Sequence, residues 1–384
     1  MHEIQRPWFG DGKSADVAGD PAAMGFRLRR GMGIVALILL PLGTAILALG
    51  PGGCSSSLVA AVGPNQDIEL FSDFARSDSR TETLLDLLNR PVATPVRPES
   101  PYKVFVTDST SFGRMKSYRT LVILGDLSGS RWGAETTRSL LGRDAHANFV
   151  AAGTGHVFVT DAWADGQTVL CIHAPDREAW EDYLARQGTK LLAQLDEKVI
   201  DGLGKTLFIS GEQQDLAAGI AERHGYRIRV PREFFVEEHA SNRFVRMKKI
   251  LPGEPVLFLF IYYEKQRLEN DDRRLATYCA AVRDTLANLY FGGDRVDSSR
   301  TRTRHVRFAG HEALEIYGLY QNDNPPMGGP FKIYCFHAGG RLYLIDLAVF
   351  NPPGKKLPQL RILEAIAETF ELLPTEAERA SGPS

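Results

Sequence analysis

The sequence of 384 residues lacks the motifs that would assign it directly to an enzyme class. It contains no G-x-S-x-G nucleophile elbow, no H-E-x-x-H zinc motif and no C-x-x-C pair. Its formal net charge of -2 argues against a nucleic-acid-binding protein, which normally carries a basic excess. A second long apolar run is also missing, which argues against a polytopic membrane protein. These patterns specify no reaction, and we expect no catalytic residue, metal or cofactor.

Cysteine is scarce, with only four residues in the chain, Cys54, Cys171, Cys279 and Cys335. The last three lie among apolar residues in predicted strands or helices. We therefore expect them to be small buried core residues rather than a disulfide framework. A bridge between Cys171 and Cys335 would need the two halves of the chain to pack together, and the spacing does not demand one.

The strongest positive signal is a basic segment at positions 27–30 followed by an apolar run from Gly31 to Leu49. Glycines and then Cys54 follow this run, which is the layout of a bacterial lipoprotein signal with a diacylated cysteine. Pro51 departs from the aliphatic residue that is usual in such signals. An uncleaved membrane helix and ordinary cleavage after Ala61 are the alternatives. All three interpretations place the globular part outside the cytoplasm, because the arginines keep the N-terminus inside.

The remaining chain is long enough for one large or two ordinary domains, and its 43% hydrophobic content is that of a soluble globule. Translation from Met24 would make the signal N-terminal. We predict a disordered leader or start-site error at 1–23, a signal peptide at 24–54, a first α+β half at 55–210, a second α+β half at 211–374 and a disordered tail at 375–384.

Hydrophobic periodicity predicts that each half ends in a two-stranded hairpin, a proline-containing turn and an amphipathic helix. Asp176 is expected to cap the first of these helices, which runs to about Val199. We predict an α+β fold of two antiparallel α/β sandwich halves, each a sheet with helices on one face. The repetition of this pattern in the two halves also suggests an internal duplication. The second half resembles the PsbP-like fold of photosystem II.

The weaker candidate motifs have structural explanations. Gly202–Thr206 resembles a phosphate-binding loop, but Val199 occupies the position of its first glycine, so a helix end is the better interpretation. Scattered histidines such as His173 are expected to be structural. Glu237–His239 is expected to be a solvated turn rather than a metal site. The alternating arginines of Arg300–Arg304 predict a charged edge strand, with binding to acidic headgroups as the alternative.

The most distinctive stretch is Gln321–Phe331, which lies between two predicted strands. Its asparagine, glycine and proline content predicts a loop that is either tightly hydrogen-bonded or in contact with a ligand. The candidate ligand or partner residues are Gln321, Asn322, Asp323, Met327, Gly328 and Gly329.

The Q-N-D and M-G-G-P-F motifs of this stretch follow the strand Leu314–Leu319. Together they resemble an uncharacterised family of lipoproteins from the envelope of Gram-negative bacteria. The resemblance spans roughly residues 60 to 373, and Asn324–Pro326 is longer than the gap expected there. It implies a lipid anchor at Cys54 and a two-part α+β body, and it implies no reaction. The expected location is the outer membrane, facing the periplasm, with an inner-membrane anchor or a soluble periplasmic protein as alternatives.

The leading functional interpretation is a non-catalytic binding or envelope-assembly lipoprotein. Its expected partners are membrane lipid through Cys54 and an envelope protein or glycan through Gln321–Phe331. The competing interpretation is an envelope hydrolase whose carboxylates or histidines come together only in the fold.

Overall fold

The computed structural model describes residues 58–265, 271–290, 292–323 and 326–374. The predicted leader, signal peptide, Cys54 and C-terminal tail lie outside these described residues. None of the helices in the described ranges has both the length and the apolar character that crossing a bilayer requires.

The first half is organised around a five-stranded sheet, which begins after two short bridges near Ala60 and Val62. In chain order its elements are β1 (Asp67–Ser72), α1 (Ser79–Asn89), β2 (Lys103–Val106), α2 (Phe112–Met115), β3 (Thr120–Gly125), α3 (Trp132–Leu141), α4 (Arg143–Ala151), β4 (Gly155–Thr160), β5 (Thr168–His173) and α5 (Arg177–Thr206).

The strand order of this sheet is β2-β1-β3-β5-β4. Strand β1 is parallel to β2 and β3, and β3 is parallel to β5; only β4 runs antiparallel. The predicted antiparallel sheet is therefore wrong for this half. The physical reason lies in helix α1, which returns the chain across the sheet and allows β2 to start in the same direction as β1.

Helices cover both faces of the first sheet rather than the single face that was predicted. On one face, Ile68 and Leu70 pack with Trp180 of α5 and the leucines of α1. On the other face, Phe71 and Leu121 pack against residues of α2, α3 and α4. Each residue of β3 and β5 is consequently buried, as is typical of strands in a covered parallel sheet.

The second half is organised around a seven-stranded antiparallel sheet. In chain order its elements are α6 (Gln214–His224), β6 (Tyr226–Arg227), β7 (Phe235–His239), β8 (Phe244–Lys249), β9 (Val256–Glu264), α7 (Asp272–Tyr290), β10 (Arg295–Phe308), β11 (His311–Asp323), β12 (Pro326–Ala338), β13 (Arg341–Phe350), α8 (Leu357–Ala367) and β14 (Glu371–Leu372).

The order of this sheet is β10-β11-β12-β13-β9-β8-β7, and every pairing in it is antiparallel. Helix α7 packs on one face, and α6 and α8 pack on the other. The α+β class is confirmed, and the antiparallel prediction is correct for this half. The two sheets have different strand directions and orders, so the suggested duplication is not reproduced in their topology.

The two halves meet through helices α5 and α8. Arg361 of α8 is 3% exposed, forms a 2.5 Å ion pair with Asp196 and donates a 3.0 Å hydrogen bond to the Pro101 carbonyl. Glu99 accepts hydrogen bonds from the backbone N–H groups of Lys356 (2.9 Å) and Leu357 (3.2 Å) at the start of α8. A carboxylate from the first half thus accepts hydrogen bonds from the free backbone N–H groups at the N-terminal end of the last long helix.

Asp176 caps α5 as predicted, since its side chain accepts a 2.8 Å hydrogen bond from the Ala179 N–H. The helix nevertheless continues through Gly202–Gly204 to Thr206, so the predicted end is wrong. A Cβ on Gly202 would lie 2.4 Å from the carbonyl oxygen of Gly166 in the β4–β5 connection. The glycine therefore allows close helix packing, and this stretch forms no phosphate-binding loop.

Candidate functional site

The predicted loop Gln321–Phe331 is largely β-strand in the structure. Gln321 pairs with Gly328, and Asn322 pairs with Met327, so β11 and β12 form one long hairpin. A Cβ on Gly329 would lie only 1.9 Å from the Val349 carbonyl oxygen. The glycines thus permit close strand packing, which is why a composition typical of loops is compatible with regular structure here.

The hairpin divides the predicted site residues between its two sides. Asn322 is 7% exposed and donates hydrogen bonds of 3.1 Å to the Gly292 carbonyl and to Asp294 Oδ1. Gln321 and Asp323 are exposed, and Asp323 forms an ion pair with Arg295 of β10. Met327 and Gly328 are partly buried and Gly329 is buried. Of the predicted site residues, the structure thus leaves Gln321 and Asp323 exposed at the hairpin tip, and Met327, which pairs with Asn322, is only partly exposed.

A buried polar cluster lies beneath the base of this hairpin. Arg283 of α7 donates a 2.8 Å hydrogen bond to Asp346 of β13, and its guanidinium lies 4.7 Å from the ring centre of Phe331. Burial raises the pKa of Asp346 to about 6, although Arg283 opposes this shift. Burial also raises the pKa of Asp294. These contacts join α7 to the sheet and give the cluster a structural role.

A groove of about 550 Å³ lies between helix α7, strand β9 and the turn before β8 that contains Ser241 and Arg243. We call it the α7 groove. Its apolar wall includes Val282, Leu286 and Leu289, and Tyr262 and Tyr278 add aromatic surface. Helical spacing from Leu275 through Leu286 predicts that Leu289 faces inward. The structure shows it 66% exposed, because it lies in the last turn of α7.

The α7 groove also has a cationic end formed by Arg243. This residue is exposed and adopts a left-handed backbone conformation with φ of 54°, which is uncommon for a residue other than glycine. Among the described residues, no carboxylate lies within ion-pair distance of its guanidinium. Tyr262 and Tyr278 both donate hydrogen bonds to Glu264. Burial and then Glu264 raise the pKa of Tyr278, which remains a neutral donor.

A second concentration of polar groups lies at the carboxyl edge of the first sheet. Asp73 and Asp126 follow the adjacent parallel strands β1 and β3, the usual ligand edge of such a sheet. His173 is 2% exposed and accepts a 3.0 Å hydrogen bond from the Leu127 N–H through Nδ1. Asp73 accepts a 3.1 Å hydrogen bond from the Gly133 N–H, and burial raises its pKa. Asp126 accepts hydrogen bonds from Ser128. All three groups therefore bond within the fold, while Asp73 Oδ2 is buried without a hydrogen-bond partner among the described residues.

The other sequence candidates form ion pairs. Glu237 and Glu238 lie in strand β7 rather than in the predicted turn; Glu237 pairs with Arg246, and Glu238 pairs with Arg223. The arginine-rich strand β10 forms an edge of its sheet, as predicted. Across the described ranges, no three or more His, Cys, Asp or Glu residues are arranged to hold a metal ion.

Comparisons with known proteins support an uncharacterised family. Residues 213–369 match the model of a domain of unknown function, DUF4837. The match covers the second half, with α7, both strands of the long hairpin and α8. No curated protein matches the chain.

Three solved structures are similar to parts of the chain. A crystal structure from Bacteroides thetaiotaomicron has 10% identity and a TM-score of 0.26, covering 40% of this chain and 47% of that one. The chain thus spans about half the length of that structure. Cyanobacterial PsbP from Synechocystis has 12% identity, a TM-score of 0.28 and coverages of 39% and 88%. LpqN of Mycobacterium tuberculosis, involved in cell envelope biogenesis, has 13% identity, a TM-score of 0.27 and coverages of 39% and 83%.

Sequence reasoning missed the α7 groove because its walls come from separate segments. Arg243 lies in a turn, Tyr262 in the β9 strand and Tyr278 in a helix, so no local spacing connects them. For the buried cluster a signal was available. Arg283 falls four positions after Cys279 and three before Leu286, on the apolar face of α7. A cation at such a position indicates a buried partner.

Proposed function

We propose that this protein is a membrane-anchored extracytoplasmic lipoprotein, acylated at Cys54, that binds an envelope lipid without transforming it. The observation that carries the ligand assignment is the α7 groove, which joins an apolar wall to one cationic end. Ligand sites commonly combine apolar and aromatic lining with a few polar groups that fix orientation. The proposed lipid anchor at Cys54 is supported by the basic and apolar segment that precedes this cysteine in the sequence.

The charge pattern of the groove supports an amphipathic anion. The acyl part of the ligand would cover Leu286 and Leu289 and remove apolar surface from water, at about 25 cal/mol per Å². Its anionic headgroup would lie against Arg243, whose planar guanidinium suits carboxylate and phosphate groups. The neutral phenol of Tyr278 would remain bonded to Glu264 at the groove wall.

The exposed residues of the hairpin tip are the second part of the proposal. The ladder between β12 and β13 ends at Phe331 and Ala348, so the hairpin extends beyond β13. Asn322 ties the hairpin to Gly292, two residues after Tyr290 of the α7 groove. We therefore propose the exposed Gln321 and Asp323, together with the partly exposed Met327, as contacts to an envelope protein or glycan at the same end of α7.

Photo-crosslinking in cells with a diazirine fatty acid tests the anchor and the groove together. Label that is incorporated without light on the peptide beginning at Cys54 reports acylation of that cysteine. Light-dependent label on the tryptic peptides Leu275–Arg283 and Asp284–Arg295 reports a lipid in the groove. The expected result is both kinds of label on the full-length chain.

Two groove variants and one matched control make this test specific. Leu289→Glu and Arg243→Glu should lower the light-dependent label several-fold while leaving the acylation at Cys54 unchanged. Leu216→Glu changes a leucine that is 43% exposed on α6, away from the groove, and should label like the unmodified chain. Equal light-dependent labelling of all four proteins would contradict the groove assignment, and absence of label at Cys54 would contradict the anchor.

A further inference from the structure

Two cysteines face each other across the contact between α7 and β12. Cys279 Sγ lies 3.1 Å from Cys335 Sγ, although 56 positions separate the residues in the chain. Cys279 is fully buried and Cys335 is 1% exposed, within the apolar core between α7 and the second sheet. A disulfide needs a separation of about 2.05 Å, so the sulfur atoms need approach by only about 1 Å.

We propose that Cys279 and Cys335 form an intramolecular disulfide whenever the chain folds in an oxidising medium. Its formation in cells rests on the extracytoplasmic location proposed above, whereas the pairing itself rests on the geometry. The reaction removes one proton from each thiol and two electrons from the pair, and joins the two sulfur atoms. An oxidised protein disulfide carrier accepts the electrons and leaves as its dithiol form.

Burial indicates when the reaction takes place. The hydrogen bond with Cys279, followed by burial, raises the pKa of Cys335 well above its ordinary value. The thiolate is the attacking species in disulfide exchange, and it is scarce in the packed core. Oxidation therefore belongs to the stage of folding at which α7 approaches β12 and both thiols are still accessible to the carrier.

The third described cysteine provides an internal contrast. Cys171 lies in β5 of the first sheet, where burial raises its pKa to about 12. It belongs to a different core cluster from Cys335. The bridge between Cys171 and Cys335 considered from the sequence is therefore replaced by Cys279–Cys335, and Cys171 remains a thiol. The new crosslink would fix α7, one wall of the α7 groove, to the sheet beneath it.

Acid quenching, alkylation of free thiols and peptide mapping of the full-length chain from cells test the pairing directly. The expected result is the tryptic peptide Leu275–Arg283 joined to Ile333–Arg341, with alkylated Cys171. The purified protein is also reduced, unfolded and refolded in a glutathione redox buffer. A reductant should lower Tm by roughly 10 °C, since the crosslink closes a long loop in the unfolded chain.

The variants separate the crosslink from simple packing effects. In Cys279→Ala the joined peptides disappear and Tm becomes insensitive to reductant, whereas Cys171→Ala retains both properties. One outcome would separate the two proposals: Cys279 and Cys335 are free thiols in protein taken from cells but become crosslinked when the purified protein refolds in the redox buffer. That result would support the pairing and contradict the extracytoplasmic location. Free thiols at Cys279 and Cys335 after refolding in the redox buffer would overturn the proposal.

Discussion

Arg283 Nε donates a 2.8 Å hydrogen bond to Asp346 Oδ2 at a position where neither side chain is more than 4% exposed. Removing two charges from water is costly, and the attraction between the partners offsets this cost only while both are present. The pair is therefore a specific constraint on how α7 lies on the second sheet, rather than a large source of net stability.

Single and double replacements should show this difference. Arg283→Met or Asp346→Leu alone leaves one charge buried without its partner and should lower the free energy of unfolding by about 3–5 kcal/mol. The double variant should recover most of the loss, because neither charge remains in the core. Urea denaturation of the four proteins gives the coupling energy, and additive losses would contradict this account.

The contact of Glu99 with the start of α8 should stabilise the junction between the halves. Glu99→Ala removes the acceptor for two backbone N–H groups and should cost about 1–2 kcal/mol. Glu99→Gln retains an acceptor oxygen and loses only the charge–dipole contribution, so it should cost less, about 0.3–1 kcal/mol. Denaturant titrations measure both values; an identical loss for the two variants would show that acceptor geometry contributes nothing.

Asp78 should give stability a defined dependence on pH. Its hydrogen bonds with Arg80 lower the pKa of Asp78 from 3.8 to about 2 in the folded protein. Because the folded state holds this carboxylate deprotonated, the contribution is complete above about pH 4 and is lost as the pH falls towards 2. Asp78→Asn should cost about 1 kcal/mol at pH 7, since the pair is partly solvated. The difference in the free energy of unfolding between Asp78→Asn and the unmodified chain should disappear near pH 2, as measured by denaturant titration at each pH.

The two polar residues at the end of β11 should behave differently. Asn322→Ala removes the amide that bonds Asp294 and the Gly292 carbonyl, and should cost about 1–3 kcal/mol. Asp323→Ala removes only an exposed ion pair and should change stability by less than about 0.5 kcal/mol.

Partner capture then tests the proposed role of the hairpin tip. Crosslinking of the full-length protein in envelope preparations should yield several-fold less partner adduct for Asp323→Ala, with folding intact. Asp215→Ala, which removes an exposed carboxylate on α6 away from the hairpin, is the control. Full capture by Asp323→Ala would remove this residue from the proposed contact surface.

The positions of most helices and strands could be predicted from hydrophobic periodicity, whereas the direction of the strands in the first sheet was missed. The uninterrupted apolar run of β3, Thr120–Gly125, contains a signal for a covered parallel strand, because both of its faces are buried. The leucines at 84, 87 and 88 also predict the intervening helix α1, which provides the crossover that parallel neighbours require. Together these features were sufficient to favour a parallel arrangement, but the hairpin between β4 and β5 suggested an antiparallel sheet.

The candidate site was harder to predict than the fold, because its residues are positioned by contacts between segments that are distant in the chain. The Gln321–Phe331 segment has a loop composition, yet Gly329 is required by the approach of Val349 from the neighbouring strand. The sequence alone does not reveal this requirement, because it depends on how the two strands pack against each other. Helical periodicity likewise assigned Leu289 to the core, because periodicity describes the face of a helix and not where the supporting sheet ends.

The contacts at the start of α8 connect very distant parts of the chain. Asn65 donates to the Pro358 carbonyl across 293 positions, and Glu99 accepts from Lys356 across 257. A ribosome completes the strands of the first sheet long before it reaches α8, so the surface that receives this helix stays uncovered throughout most of synthesis. The junction between the halves can therefore form only after Leu357–Ala367 has been synthesised. A chain that stops before Leu357 should leave the apolar surface that receives α8 exposed and prone to aggregation.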